Sequence, residues 1–167
     1  MRCALLFAML LCLPAIARAE CPGDCANLVV VDPLTTALGI VHVQFEGRIA
    51  PHATLYVGPS AHLFTLGDPE PYVGLGVEFG ARFFLRPTAP TGWWFALRQV
   101  VAHLQTTDGT KVRSFGGYSS VLVGGTVIYK RLVLSGGLGA QRFYYGVGDY
   151  GIRGTSPAAH SAIGLAF

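Results

Sequence analysis

The segment from Val73 to Arg86 alternates between apolar side chains and side chains that are mostly small or charged. Successive side chains of a β-strand point to opposite faces of a sheet, so this period of two predicts a strand with one continuously apolar face. The other face carries Glu78 and Arg82 among glycines. The fold must therefore keep apolar and polar surfaces on the two sides of a sheet.

The same period of two recurs along the chain, and residues typical of turns separate the segments. With 22 glycines and 10 prolines, the sequence leaves little room for long helices. Pro59 lacks a backbone donor, so we expect a bulge or local irregularity there. The pattern predicts seven strands. We expect an eighth, which is the first along the chain and precedes the break at Asp32-Pro33. The predicted ranges are 26–31, 37–48, 54–64, 73–86, 93–104, 119–129, 132–142 and 158–167.

The polarity of the chain is typical of membrane proteins, with 51% hydrophobic residues, 13% charged residues and a mean hydropathy of +0.48. After residue 19, however, no uninterrupted apolar stretch reaches the roughly 20 residues that a spanning helix needs. Lipid offers the backbone no hydrogen-bond partners, so a closed sheet is the remaining way to span. We predict an all-β, up-and-down antiparallel transmembrane β-barrel with eight strands, since bacterial barrels have even strand numbers. A periplasmic β-sandwich or lipocalin-like barrel is the soluble alternative.

The first residues have the features of a secretory signal peptide. Arg2 provides a positive charge, residues 3–13 are almost wholly apolar, and Ala17-Arg18-Ala19 forms a small-x-small cleavage site. The apolar run is too short for a stable membrane anchor. We predict a cleaved signal peptide over 1–19, an N-terminal periplasmic segment or first strand over 20–31, and a barrel over 32–167 in a Gram-negative outer membrane.

The cysteines divide into two pairs. Cys3 and Cys12 leave with the signal peptide, whereas Cys21 and Cys25 flank the turn-like segment Pro-Gly-Asp. In an oxidising periplasm this spacing favours a disulfide between Cys21 and Cys25, with free or intermolecular thiols as the alternative. No histidine or second cysteine pair lies nearby in the sequence, so neither a metal site nor a cofactor is predicted.

The charge balance argues against a nucleic-acid partner. The full chain has 12 Lys and Arg residues against 9 Asp and Glu residues. Removal of Arg2 and Arg18 with the signal peptide leaves 10 against 9, a net charge of +1. Nucleic-acid binding requires a much larger basic excess.

The links between the predicted strands differ in length. Short links lie at 50–52, 87–91 and 130–131, and mostly longer, more polar links lie at 67–70, 106–117 and 144–156. Short periplasmic turns and long external loops are typical of transmembrane barrels. We expect the external loops, particularly Tyr144 to Ser156, to meet solvent, lipopolysaccharide or an unknown ligand.

The last predicted strand ends in a regular pattern, with Ser161, Ile163, Leu165 and Phe167 at every second position. This pattern resembles the terminal strand signal that ends in an aromatic residue and is read by the assembly machinery of outer-membrane barrels. The resemblance implies that Ile163, Leu165 and Phe167 form such an assembly signal and that the barrel assembly machinery is a partner.

Four other stretches extend this resemblance. They are Asp32-Pro33-Leu34, Phe45-Glu46, the series Gly74, Gly76, Glu78, Gly80, Arg82 and Phe84 at alternate positions, and Gly92-Trp93-Trp94-Phe95. Over most of residues 32–167 the chain is similar to a family of small outer-membrane β-barrel proteins, of the eight-stranded OmpA, OmpX or OmpW type. Gly47 departs from the pattern, because it separates Glu46 from Arg48 where an adjacent Glu-Arg pair is expected. The resemblance implies a fold and a place among outer-membrane lipid and lipopolysaccharide, and no reaction.

Four charged residues fall on the polar faces of three predicted strands: Glu46, Glu78, Arg82 and Arg98. The interior of an eight-stranded barrel is just wide enough for side chains to fill it. Buried charges must pair, because an unpaired one costs several kcal/mol of desolvation. We therefore expect a lumen plugged by paired charges and a structural or surface-interaction role. A narrow pore or small-solute transporter is the alternative.

A lipid A modifying enzyme, either an acyl hydrolase or an acyltransferase, is the second alternative. His160 and Ser161 are adjacent on one strand, so they point to opposite faces and do not share a proton. The other candidates are His103 with Ser114, Ser119 or Ser120, near an external loop. Because no motif supplies nucleophile, base and orienting acid together, no catalytic residue is predicted.

Overall fold

The structure, a computed structural model, describes residues 25–64, 72–106, 112–146 and 153–167. These residues form one antiparallel sheet of eight strands that closes into a barrel, and each strand pairs with the next along the chain. The predicted all-β, up-and-down antiparallel barrel with eight strands is confirmed. The predicted signal peptide, Cys21 and the link 67–70 lie outside the described residues. The strands are β1 Asn27–Val31, β2 Ile40–Ala50, β3 Ala53–Phe64, β4 Tyr72–Phe84, β5 Gly92–Thr106, β6 Arg113–Tyr129, β7 Leu132–Tyr144 and β8 Arg153–Ala166, and the helix α1 spans Pro33–Ala37.

β1 closes the barrel by pairing with both β2 and β8. Val31 lies opposite Val43 on β2 and opposite Ile163 on β8. Asn27 and Phe167 exchange two backbone hydrogen bonds, of 3.0 and 2.9 Å. Closure gives the paired backbone groups partners within the sheet.

The two ends of the barrel differ in how the strands are connected. At the turn end, Pro51-His52 and Lys130-Arg131 are two-residue links, but residues 85–91 form a link as long as residues 65–71 at the opposite, loop end. Link length therefore distinguishes the two ends less clearly than expected. The link 85–91 folds against the barrel mouth, where Ala89 is buried and its N–H donates to the carbonyl of Pro51 at 3.1 Å.

Several strands extend further toward the loop end than their sequence patterns predict. β6 begins at Arg113 and β8 at Arg153, inside the regions expected to be loops over 106–117 and 144–156. Backbone pairing continues there although the apolar alternation has ended, because ladder hydrogen bonds do not depend on side-chain polarity. Within β3, pairing with β2 skips Gly58 and Pro59 without a change of register, which is the kind of irregularity expected at that proline.

The short helix α1 was not predicted. It follows β1, which is only five residues long, and Asp32 provides its N-cap. Asp32 Oδ1 accepts hydrogen bonds from the N–H groups of Leu34 at 3.0 Å and Thr35 at 3.1 Å. Pro33 lies at the start of the helix, and Gly39 follows it with a φ of +86°. No helix in the described ranges is long and apolar enough to cross a membrane.

The two faces of the sheet have opposite polarity. Outside the barrel, Leu75 is 75% exposed and Trp93 is 72% exposed. Inside it, Glu78 is fully buried and Arg82 is only 2% exposed. Soluble proteins bury large apolar side chains and expose charged ones. The barrel therefore has the inverse of the polarity that is usual in water.

Candidate functional site

The structure places all four predicted lumen charges inside the barrel. Glu46 lies on β2, Glu78 and Arg82 lie on β4, and Arg98 lies on β5. All four are buried. They share the inward face because each stands at an even-numbered position of its strand, and the even-numbered positions of β2, β4 and β5 face the interior. The barrel brings their side chains into one connected polar network.

Three polar side chains surround the carboxylate of Glu78. Arg98 Nε lies 2.8 Å from Oε1, and His42 Nδ1 lies 2.7 Å from Oε2. Gln44 Nε2 donates a hydrogen bond to Oε1 at 2.7 Å. A carboxylate has about four acceptor sites, so these contacts compensate most of what Glu78 loses on leaving water.

Arg82 connects Glu46 to His160. Its Nη1 forms a close ion pair with Glu46 Oε2, and Thr54 donates to the other oxygen of the same carboxylate. Its Nη2 lies 3.0 Å from Nε2 of His160. Because a guanidinium only donates hydrogen bonds, Nε2 of His160 is the acceptor, and the proton of the neutral ring is assigned to Nδ1.

Asp32 joins this network to the barrel wall. Its Oδ2 accepts a hydrogen bond from Nδ1 of His160 at 3.0 Å and lies 3.7 Å from Nη2 of Arg98. Its Oδ1 accepts from Oγ of Ser161 at 2.9 Å, in addition to the N–H groups of α1. One fully buried carboxylate thus holds the helix, the inner face of β8 and its outer face together.

The guanidinium groups also lie against aromatic rings. The Cζ atom of Arg82 is 5.1 Å from the ring centroids of both Tyr56 and Trp94, and that of Arg98 is 5.5 Å from the centroid of Tyr118. Cation–π contacts of this kind contribute most where water is excluded. They fill the space around the charges and fix the planes of both guanidinium groups.

Five polar members of the network were not predicted: Asp32, His42, Gln44, Thr54 and His160. The alternation on β2 does place His42 and Gln44 on the face of Glu46, so their inward position is readable from the sequence. Their contacts with Glu78 cannot be read from the sequence, because they join β2 to β4 across the interior, with β3 lying between these strands in the sheet. Asp32 lies outside any alternating segment, and its signal is the N-cap position before Pro33.

Packed side chains occupy the lumen on both sides of the network. Toward the turn end they are Phe84, Ala89, Trp94, Ala96, Leu122 and Ala158. Toward the loop end they are Ile40, Val100, Ala102, Leu104, Tyr118 and Tyr145. Trp94 Nε1 donates to Oγ1 of Thr126 at 2.9 Å, so the polar atom of this large ring also has a partner inside the barrel.

The structure does not assemble the catalytic candidates. His160 faces the lumen and Ser161 the opposite side, and both side chains contact Asp32 rather than each other. His103 lies outside, with its ring centroid 4.9 Å from that of Phe115. In the described part of the chain, His103 forms no hydrogen bond with Ser114, Ser119 or Ser120. The described ranges also contain no group of three or more His, Cys, Asp and Glu side chains placed to hold a metal ion.

The remaining predicted residues lie near the two ends of the described chain. Cys25 is disulfide-bonded, and Cys21, its predicted partner, is outside the described residues. Ile163 and Leu165 are exposed on the outer face of β8. The ring centroid of Phe167 lies 6.1 Å from that of Phe45 on β2. These positions agree with an outward-facing terminal strand, and the recognition of that strand by assembly machinery stays a prediction.

Comparison with known protein families, with curated protein sequences and with solved structures found no match. The similarity to small outer-membrane barrels therefore stays a prediction from the sequence. Any function assigned to this chain has to be supported by its own geometry.

Proposed function

We propose that the chain is an outer-membrane β-barrel protein with a structural or surface-interaction role, whose lumen is plugged by paired charges. The main support is the inverted polarity of the barrel, with large apolar side chains outside and charged side chains inside. Lipid tolerates a closed sheet because its backbone groups are satisfied internally, and it favours an apolar outer face. In water, so large an apolar surface would promote aggregation, since soluble monomers rarely expose patches above a few hundred Å².

The height of the apolar face supports a membrane location. On β4 the outward positions run from Val73 to Phe83, all of them apolar. These ten steps at about 3.3 Å each, on strands tilted by about 40°, give a height of about 25 Å. That height equals the apolar band of outer-membrane barrels, about 25 Å. The predicted signal peptide supplies the route across the inner membrane, and the barrel assembly machinery is the proposed partner for insertion.

The absence of catalysis is part of the proposal. The charged side chains of the described lumen contact one another, and Nε2 of His160 is held by Arg82 rather than by a hydroxyl. The barrel then acts as a rigid scaffold that presents its loop-end links to the exterior, where lipopolysaccharide or another surface ligand contacts them.

Fractionation tests the proposed location. We expect the processed chain in the outer-membrane fraction, extractable only with detergent, and a shift in gel mobility on boiling as the barrel unfolds. A mutant lacking residues 2–19 serves as the control and should stay in the cytoplasm. Recovery of the processed chain in the soluble periplasmic fraction, without detergent or lipid, would refute the proposal.

The packed lumen predicts an absence of conductance. Charged, aromatic and aliphatic side chains occupy successive levels of the interior, and an eight-stranded barrel has no spare width for a water column. The refolded protein in a planar bilayer should therefore give no discrete current steps, whereas a porin added to the same bilayer should. Reproducible single-channel steps would favour the pore or transporter alternative.

A further inference from the structure

Four polar side chains form a row across the outer face of β5 to β8. In register, Gln99 lies opposite Ser119, Ser119 opposite Arg142, and Arg142 opposite Thr155. Ser119, Arg142 and Thr155 are exposed, and Gln99 is partly exposed. We call these four residues the outer polar row. Toward the turn end, the next outward positions on β5, β6 and β7 are Leu97, Val121 and Ala140.

Arg142 and Thr155, at the β7–β8 end of the outer polar row, lie at the upper edge of the apolar band. Arg142 is ten positions from Leu132, where β7 leaves its short turn. With the same rise and tilt as above, that distance is about 25 Å along the barrel axis. Arg142 therefore lies at the level of lipid headgroups on the loop-end side, where the penalty for an outward arginine is small, about 0–1 kcal/mol.

Most of the polar groups near Arg142 are satisfied by one another. Ser119 Oγ donates to Oε1 of Gln99 at 2.6 Å, and Nε2 of Gln99 donates to the hydroxyl of Tyr144. Tyr144 in turn donates to the carbonyl of Val100 at 3.0 Å. Arg142 forms no hydrogen bond or ion pair with any described residue. Its side chain is exposed, so its five N–H donors are accessible to a ligand.

The charge distribution on this face favours an anion. Every Asp and Glu side chain in the described ranges, namely Asp32, Glu46 and Glu78, is buried inside the barrel. On the outer half of β6 to β8, Arg113, Arg142 and Arg153 are all exposed. No described carboxylate on that face neutralises them. Arg153 lies opposite Tyr144, two positions from Arg142 along β7, so an anionic group there meets two arginines on neighbouring strands.

A shallow groove of about 980 Å³ crosses the outer face from β2 to β8, and the outer polar row borders it over β5 to β8. Its floor is lined by apolar side chains, including Phe79, Leu97 and Val121, and its upper end by Ser119, Arg142 and Thr155. A long apolar floor that ends at two hydroxyl groups and a guanidinium with no partner among the described residues complements a molecule with acyl chains and an anionic, hydroxylated head. Such a shape excludes a purely polar ligand, because the floor would stay unfilled.

We infer that this groove binds one molecule of a phosphorylated glycolipid of the outer leaflet, with a phosphate on Arg142 and the acyl chains along the apolar floor. The inference rests on the proposed function, since it needs the loop end to face the outer leaflet. Arginine matches a phosphate with paired N–H donors, and the hydroxyls of Ser119 and Thr155 are placed to bond the sugar.

Binding of lipid A to the refolded full-length barrel in zwitterionic detergent tests the inference, with native mass spectrometry as the readout. Arg142→Gln should weaken lipid A binding at least tenfold, and Arg142→Lys should retain part of the affinity. Arg86→Gln removes an exposed arginine at the turn end and should leave binding unchanged. All three variants should keep the heat-dependent mobility shift, because Arg142 and Arg86 contribute little to the fold.

Three results would overturn the inference about lipid A binding. Equal binding of lipid A by Arg142→Gln and the parent protein would overturn the inference, as would equal binding of lipid A from which the phosphates have been removed. Phosphatidylglycerol bound as tightly as lipid A would show that the groove takes anionic phospholipid rather than a glycolipid, and would also overturn it. A barrel found in the membrane that fails these tests leaves the proposed function intact, whereas a soluble chain defeats both.

Discussion

Arg82→Met is expected to lower the free energy of unfolding of the barrel by about 3–5 kcal/mol, because removing one partner of a buried ion pair leaves the other uncompensated. Among its contacts with described residues, Glu46 would keep the hydrogen bond from Thr54 alone, and Nε2 of His160 would lose its donor. Methionine is close to arginine in length, so little of the loss would come from a cavity. Denaturant titration of the barrel in lipid vesicles, followed by tryptophan fluorescence, measures the change.

Two further variants separate charge pairing from simple packing. Arg86→Met removes an exposed arginine of the turn end and should change stability by no more than about 0.5 kcal/mol. Glu46→Gln combined with Arg82→Met removes both charges and should recover a large part of the loss, since uncharged replacements of buried pairs are often tolerated. If Arg82→Met is no more costly than Arg86→Met, the network does not stabilise the barrel.

The faces of the strands could be predicted because a period of two is a local property. Glu46, Glu78, Arg82 and Arg98 lie on strands whose outward-facing odd positions are mostly apolar, and this alone assigns them to the interior. No knowledge of strand pairing is needed for that assignment. The sequence is therefore most informative about which side chains enter the lumen.

The partners inside the lumen could not be predicted, because closure brings together residues that are far apart in the chain. His160 and Asp32 are 128 positions apart. α1 was missed for a different reason, since a five-residue helix is too short to show a period of 3.6. Its only signals are Asp32 and Pro33 at one end and Gly39 at the other, which also fit an ordinary turn.

Pro157 lies inside β8 at a position that the short strand β1 does not reach. In β8, the N–H of Phe167 is directed to β1 and that of Ala166 to the β7 side, so odd-numbered residues direct their backbone groups toward β1. β1 pairs with β8 only from Ile163 to Ala166, so Pro157 lies beyond that pairing. Its missing N–H costs no ladder hydrogen bond, and its carbonyl accepts from Nε2 of Gln141 at 3.3 Å. A proline inside a strand is thus compatible with a closed barrel.

Asp32→Ala is expected to lower the free energy of unfolding by about 2–4 kcal/mol. About 1 kcal/mol comes from the lost N-cap of α1. The remainder comes chiefly from the buried donor of His160, which costs about 1–3 kcal/mol when left without an acceptor, because Ser161 is partly exposed and water can replace its partner. Because α1 follows the strand that closes the barrel, amide hydrogen exchange should also rise in β1 and in the part of β8 that pairs with it.

Asp32→Asn and Ser161→Ala divide this effect into its parts. Asparagine keeps an acceptor for the N-cap and for Ser161 but loses the charge next to Arg98, so its cost should be intermediate. Ser161→Ala removes one hydroxyl and should cost about 1 kcal/mol or less. Were Asp32→Ala to match Ser161→Ala in stability and in hydrogen exchange, Asp32 would be a local helix cap only. The link it forms between the wall and the charge network would then contribute nothing to holding the barrel closed.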